Sequence, residues 1–255
     1  MKETRYFYTP NALESNELPE EEAQHALRVL RLVAGDDIML MDGQGTFYEA
    51  EVTATDKRHC HYSILRELPQ ERLWTPWLHI AVAPTKNIDR MEWFVEKAVE
   101  IGVNEISFLN CQYSERRNLR IDRMEKIVVS AMKQSRKAWK TQVNEMVDFS
   151  SFVQKMKDDD ANRFICHCYD ESDITQALAD KGGASPTMPN RKILLRDALT
   201  QGRGTVVLVG PEGDFSIDEV VDAEKLGFQP VSLGDSRLRT ETAALVAVHL
   251  MRLFA

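Results

Sequence analysis

Two short segments of this chain carry residue types that could together line a ligand pocket. The first is Gly210-Pro211-Glu212-Gly213-Asp214-Phe215-Ser216, and the second is Leu233-Gly234-Asp235-Ser236-Arg237-Leu238-Arg239-Thr240-Glu241-Thr242-Ala243. Loops with little side-chain bulk let main-chain N–H and C=O groups approach a ligand closely. Glycine loops often cradle phosphate, but neither segment contains Gly-x-x-x-x-Gly-Lys-Ser/Thr or Gly-x-Gly-x-x-Gly, and Glu212 and Asp214 would repel a phosphate. A neutral or cationic ligand suits this pair better than a nucleoside triphosphate.

The flanking residues predict what positions the loops. Residues 205–209 form a short apolar, β-branched run of the kind that makes a buried strand. Ser216 with Glu219 three residues later is a capping box, so a helix starts there and stops at Gly227. Residues 231–233 repeat the plan as a strand, Gly234 opens a loop, and Thr240 begins a helix running to the C-terminus. Both loops then lie at the carboxyl ends of their strands, where open α/β sheets bind ligands.

These motifs resemble the paired signature of the RsmE-type 16S ribosomal RNA uridine N3-methyltransferases, members of the SPOUT superfamily. The resemblance extends through Lys86, Arg90, Glu92, Lys97, Glu100 and Gly102, through Ser114-Glu115-Arg116 and Gln134-Ser135, and back to 25–31. It departs at Asp214, where the family usually has a second glycine, and at Asp235-Ser236, commonly Pro-Arg, which leaves open whether Arg237 or Arg239 lines the pocket. The resemblance implies an α/β fold with a parallel sheet, a C-terminal trefoil knot binding S-adenosylmethionine, a small N-terminal PUA-like β-barrel for RNA, and a homodimer formed through the knot domain. The implied reaction is methyl transfer to uracil N3 in 16S ribosomal RNA of the small subunit. Methylation of another RNA atom such as a ribose 2'-oxygen, a non-catalytic RNA-binding or assembly role, and an enzyme acting on a small molecule are the rival readings.

On this reading Gly210, Pro211, Glu212, Gly213, Leu233, Gly234, Leu238, Thr240, Thr242 and Ala243 hold the cofactor. Glu212 could instead order its own loop or cap the next helix, and Thr240 and Thr242 could be helix caps. Arg239 is the catalytic candidate, because guanidinium offers a planar fork of donors to the carbonyl oxygens of uracil. It could alternatively pair with Glu241 or Glu212. Arg28, Arg31, Arg116, Arg117, Arg120 and Arg136 are the candidate RNA contacts.

A chain of 255 residues, 43% hydrophobic, can bury one sizeable core and a smaller one. Two domains are expected, 1–70 and 75–255, with the boundary at Leu68-Pro69-Gln70-Glu71-Arg72 and Pro76. No apolar run approaches the ~20 residues that span a bilayer, and the first residues do not lead into a signal-peptide core, so a cytoplasmic protein is expected. Cys60, Cys111, Cys166 and Cys168 sit in strand-like settings, without the spacing of a disulfide framework or a metal site. The net charge of -8 argues against a surface that grips nucleic acid everywhere. Between Gln112 and Lys140, however, nine basic residues stand against three acidic ones. That stripe fits either phosphate contacts or a solvated helix face, and the resemblance favours RNA.

Elsewhere the pattern predicts a helix from Pro19 that holds His25 and puts Arg28 and Arg31 on one side, then strands at 37–41, 46–54 and 59–65. It continues with a strand at 77–83, a helix from Asp89 to Gly102, a strand at 106–109, an amphipathic helix from Asp122 and a strand at 163–169. A loose surface loop is expected at 181–190. The last helix is apolar nearly all round, which calls for burial on several sides and suits a second subunit.

Overall fold

A computed structural model describes residues 4–72, 76–180 and 192–255. The loop expected at 181–190 lies outside the described residues. The chain forms two compact units, one of Met1–Leu73 with Val128–Lys140, the other of Trp74–Ile127 with Thr141–Ala255.

The first unit holds β1 (Tyr6–Tyr8), α1 (Glu20–Gln24), β2 (Asp37–Met41), β3 (Thr46–Thr55) and β4 (Cys60–Pro69). They form a four-stranded sheet in the order β1-β2-β3-β4, with β1 parallel to β2 and the rest antiparallel. Alternation along the strands turns Ile38, Leu40, Tyr48, Ala50, Val52, Cys60 and Tyr62 onto one core with Phe7, Leu18, Ala23 and Ala26. Asp42 fixes the β2–β3 turn by accepting the N–H groups of Gln44 and Thr46, at 2.7 and 3.0 Å. One expectation fails here. The helix widens into a π turn over His25–Val29, and Arg31 adopts a left-handed φ of 54°. The extra residue in the π turn breaks the three-residue spacing, so Arg28 and Arg31 do not share a helical face.

The second unit is built on β5 (Leu78–Val82), α2 (Ile88–Ile101), β6 (Glu105–Asn110), the first turns of α3 (Ile121–Gln134), β7 (Gln142–Asp148) and α4 (Phe149–Met156). It continues with β8 (Asn162–Cys166), α5 (Glu171–Asp180), β9 (Ile193–Leu194), α6 (Leu195–Ala198), β10 (Thr205–Val209), α7 (Ile217–Lys225), β11 (Gln229–Ser232) and α8 (Thr240–Phe254). The seven strands run in the order β7-β6-β5-β10-β8-β11-β9, and every pairing is parallel. All five residues of β5 and all five of β10 are buried, as expected of central strands covered on both faces. On one face Ala81, Leu109, Ile165, Val206 and Leu208 meet Phe149, Phe152, Val220, Val221 and Phe228. On the other, α8 packs against α2, β5 and β10.

Local signals set the helix ends. Asn87 caps α2 by accepting the Asp89 N–H at 3.0 Å, and Gly102 stops it at a φ of 110°. The capping box of α7 is complete, with Ser216 and Glu219 exchanging side-chain to backbone hydrogen bonds. The sheet order places β8 between β10 and β11, so the carboxyl ends of these three strands are neighbours.

Candidate active site

The expected strand at 163–169 stops at Cys166. Beyond it, the backbone of 167–169 is held by side chains instead of by ladder partners. Lys192 donates to the carbonyl oxygens of His167 and Tyr169, at 3.1 and 2.6 Å, and Asp214 Oδ2 accepts the Cys168 N–H at 2.7 Å. The Tyr169 hydroxyl donates to the Phe215 carbonyl at 2.8 Å. The loop after β10 is thereby tied to the end of β8. The loop after β11 leaves the sheet beside it, since Val231 near the end of β11 pairs with Cys166 at the end of β8. Burial and the Asp214 carboxylate push the Cys168 thiol up, while the Arg237 guanidinium acts on it in the opposite sense.

Asp214 explains its own departure from the glycine usual at this position. Its φ of 68° is the left-handed conformation a glycine takes freely, and Asp is among the few other residues that tolerate it. Its carboxylate uses the position, since Oδ1 accepts the Phe215 N–H at 2.7 Å while Oδ2 holds Cys168.

A second set of contacts joins this cluster to the start of α2. Glu212 Oε2 accepts the Lys86 N–H at 3.0 Å, Arg90 Nη1 lies 3.9 Å from Glu212 Oε1, and Arg90 Nε lies 3.8 Å from Glu241 Oε1. Arg90 is thus the cation shared by both carboxylates, the role open to Arg239 in the sequence. Glu241 is only 7% exposed, and its Oε2 has no hydrogen-bond partner.

Arg239 stands at the N-cap of α8 with no capping side-chain bond, and among the described residues its guanidinium makes no ion pair. A cation at the positive end of a helix is mildly unfavourable, and Arg is a poor N-cap residue. The start of α8 therefore keeps the N–H groups of Thr240, Glu241 and Thr242 open, as first-turn donors without an intrahelical acceptor. The Ala243 N–H is already committed to the Arg239 carbonyl at 2.8 Å.

Gly210 is required by space. A Cβ there would lie 2.9 Å from Phe215 N and 3.0 Å from Phe215 Cδ2, whereas one at Gly213 would meet only Tyr113 Cβ at an ordinary 3.5 Å. Pro211 and Thr240 are buried, Glu212, Gly213, Gly234 and Arg239 are exposed, and Leu233, Leu238, Thr242 and Ala243 lie between. All sit on the β10–α7 and β11–α8 loops or the first turn of α8.

The candidate RNA residues are not brought together on one helix. Of the nine cations in 112–140, only Arg123, Lys126 and Lys133 lie on α3. Arg116 is spent on the Thr85 and Lys86 carbonyls at 3.2 and 2.6 Å, Arg117 reaches Gln112 O at 3.0 Å, and Arg120 pairs with Asp122 at 2.7 Å. Arg28, Arg31 and Arg136 belong to the first unit, where Arg136 lies over the Tyr6 ring at 5.5 Å.

His167, a possible base by residue type, was given no role from sequence, nor were Cys168, Asp214 and Arg90, although Asp214 lies in the first glycine segment and Arg90 in the family resemblance. Only the family resemblance singles out Arg90, whereas His167 follows an apolar run, the pattern already used for Gly210. It is 9% exposed, both ring nitrogens lack partners, and burial with the nearby Lys192 charge pulls its imidazole down to about 4. Among the described residues no three His, Cys, Asp or Glu side chains cluster as metal ligands.

Residues 73–252 match the family model of the RNA methyltransferase domain, and residues 18–65 match that of the RNA methyltransferase PUA domain. The chain belongs to the RNA methyltransferase domain family. A solved probable rRNA-methyltransferase of Porphyromonas gingivalis is 39% identical, with a TM-score of 0.83 and 98% of each chain covered. The ribosomal RNA small subunit methyltransferase E of Neisseria gonorrhoeae, solved with bound S-adenosylmethionine, is 28% identical with a TM-score of 0.81 and the same coverage. The enzyme of that name from Synechocystis is 28% identical over 87% of this chain and 67% of its own. Both glycine-bearing loops fall within the methyltransferase match, and the PUA match spans β2, β3 and most of β4.

Proposed function

We propose that the protein methylates N3 of a uridine in 16S ribosomal RNA with S-adenosylmethionine as donor. The observation that carries this reading is the convergence of the β10 and β11 loops on the end of β8, beside a helix start with open N–H donors and an arginine without an acidic partner. Names and ligands of the relatives above support it.

The residues fit the cofactor. Gly210 lets the β10–α7 loop turn back tightly on Phe215, and the Glu241 carboxylate, sharing Arg90 with Glu212, keeps Oε2 without a partner and suits a cationic ligand. Residues Gly210, Pro211, Glu212, Gly213, Leu233, Gly234, Leu238, Thr240, Thr242 and Ala243 would hold it. When bound, S-adenosylmethionine supplies a methyl group on positively charged sulfur, already activated for transfer. The chain's own residues align the acceptor and keep water out, because proximity and orientation lower most of the barrier for an activated donor. Uracil N3 must lose a proton as it is methylated. Arg239 faces the developing anion with its charge uncommitted and stabilises it through the uracil oxygens.

The first domain, 1–70, is assigned to RNA contact and residues 75–255 to methyl transfer, the latter with the C-terminal trefoil knot. Arg28, Arg31, Arg117, Arg120 and Arg136 lie at the surface, where phosphates would meet them, whereas Arg116 is half-buried and holds the β5–α2 loop. A homodimer through α8 accounts for Leu245, Val246 and Leu250, only partly buried within one chain, and for Leu253, 65% exposed. No helix among the described residues is long and apolar enough to cross a membrane, and a cytoplasmic location agrees with ribosomal RNA as substrate.

The test is incubation with methyl-labelled S-adenosylmethionine and unmodified small ribosomal subunits, followed by nucleoside mass spectrometry. Labelled 3-methyluridine is expected. A 2'-O-methylated nucleoside would overturn the target atom, and absence of S-adenosylmethionine binding in calorimetry would overturn the enzyme reading.

A further inference from the structure

The first half of the loop between β6 and α3 is pinned on both sides of Tyr113. Cys111 N–H donates to Ser114 Oγ at 2.9 Å and Ser114 N–H returns to the Cys111 carbonyl at 3.1 Å, closing a turn. Gln112 N–H donates to Glu219 Oε1 at 2.8 Å, which fastens the loop to α7. Arg116 and Arg117 tie its far side to main-chain carbonyls. Between these anchors Tyr113 projects with 49% of its surface exposed.

Its neighbours place this ring at the mouth of the site. Gly213 faces Tyr113 Cβ, so the Tyr113 side chain starts beside bare main chain of the β10–α7 loop. Tyr113 also acts electrostatically on Tyr169, whose hydroxyl holds the Phe215 carbonyl of the same loop. An exposed aromatic on a rigid turn loses little entropy on binding and offers a flat apolar face. An enzyme that works on N3, an atom hidden by pairing in a helix, must take the base out of its stack and give it another surface.

We infer that Tyr113 is the stacking platform for the target pyrimidine, which rests on the methyltransferase reading above. Stacking of one base on an aromatic ring corresponds to about a 5- to 150-fold change in affinity. The ring, and not its hydroxyl, carries the effect.

The experiment compares the parent with Tyr113→Phe and Tyr113→Ala. Calorimetry with S-adenosylmethionine checks folding and the cofactor site, and mass spectrometry of the parent's product checks the methyltransferase reading separately. A short RNA bearing a fluorescent uridine analogue at the methylated position then reports stacking through quenching. Tyr113→Ala should bind the cofactor like the parent, lose the quenching and lose 5- to 150-fold in kcat/KM, while Tyr113→Phe retains both. Parent-like turnover and quenching in Tyr113→Ala overturn the proposal, as does a Tyr113→Phe variant as impaired as Tyr113→Ala. If the parent itself makes no 3-methyluridine, the failure lies with the reaction assigned to the site.

Discussion

Two substitutions of the same chemistry, Gly210→Ala and Gly213→Ala, should act in opposite directions. Neither glycine has a positive φ, so an alanine meets no backbone strain at either position and the space around each Cβ decides the outcome. At Gly210 the new atom would lie 2.9 Å from Phe215 N and 3.2 Å from the Asp214 carbonyl carbon. Both are main-chain atoms of a loop fixed by the Asp214–Cys168 and Tyr169–Phe215 bonds, so they cannot step aside without breaking those bonds. Overpacking of this kind costs about 1–3 kcal/mol. The lower entropy of the unfolded alanine chain offsets about 0.4–1 kcal/mol of it. At Gly213 only the entropy gain remains.

The two variants should therefore differ by about 2 kcal/mol, or about 4–8 °C in Tm at this chain length, with Gly210→Ala below the parent and Gly213→Ala above it. Calorimetric melting of parent and variants side by side reads this directly. Cofactor titration adds a second readout, because displacement of the loop should weaken S-adenosylmethionine binding in Gly210→Ala by roughly tenfold or more. A Gly210→Ala protein that melts with or above the parent would refute the steric argument. A Gly213→Ala protein that is stabilised yet loses cofactor affinity would put the ligand itself against that position.

Asp214→Ala should destabilise by about 2–4 kcal/mol, from two lost charge-assisted bonds and a left-handed non-glycine residue, and Asp214→Gly should recover about 1 kcal/mol of that in urea denaturation. His167 is held neutral, with a folded value of about 4 against about 6.5 unfolded. The unfolded chain thus takes up the proton first, and stability falls as pH drops from about 6.5 towards 4, by about 2 kcal/mol between pH 7 and pH 5. Urea titrations of parent and His167→Leu at both pH values should show that extra loss only in the parent. Arg239→Ala should lower kcat by about 100-fold or more while leaving cofactor affinity unchanged. Its helix should gain about 0.3–1 kcal/mol, since a cation leaves the positive end of α8; unchanged turnover would remove Arg239 from the chemistry.

What could be read in the sequence was whatever a short window encodes. The run at Thr205–Val209, the Ser216–Glu219 capping box, the Gly102 stop and the start of α8 at Thr240 all depend on residues within a few positions of one another. Contacts between distant segments were out of reach. Nothing local to Glu212 or Glu241 says that Arg90, more than a hundred residues earlier, neutralises both. Edge strand β7 shows mixed polarity because one of its sides has no neighbour. The strand read at 231–233 runs over Gln229–Ser232, and Pro230 is tolerated within it because β9 pairs with β11 only from Val231 onward. The π turn at His25–Val29 leaves no signature in the 3.6-residue pattern that it interrupts.

The departures from local rules in the second unit are themselves informative. Asp214 is left-handed, Arg239 caps a helix it disfavours, Glu241 Oε2 is buried without a partner, and so are both nitrogens of His167. Orphaned buried atoms occur elsewhere, as at Trp139 Nε1 and Asn162 Nδ2. At the carboxyl ends of β8, β10 and β11 the departures coincide, on loops held by elements that obey every rule: fully buried β10, the complete capping box of α7, and α2 with its Asn87 cap and glycine stop. Stability lost at the loops is carried by those elements, and such a concentration is expected where binding, not folding, selects the residues. Filling the site should therefore stabilise the second unit by mass action, and a ligand that satisfies the orphaned donors and acceptors does so through a tighter Kd, because it removes a cost already present in the free protein.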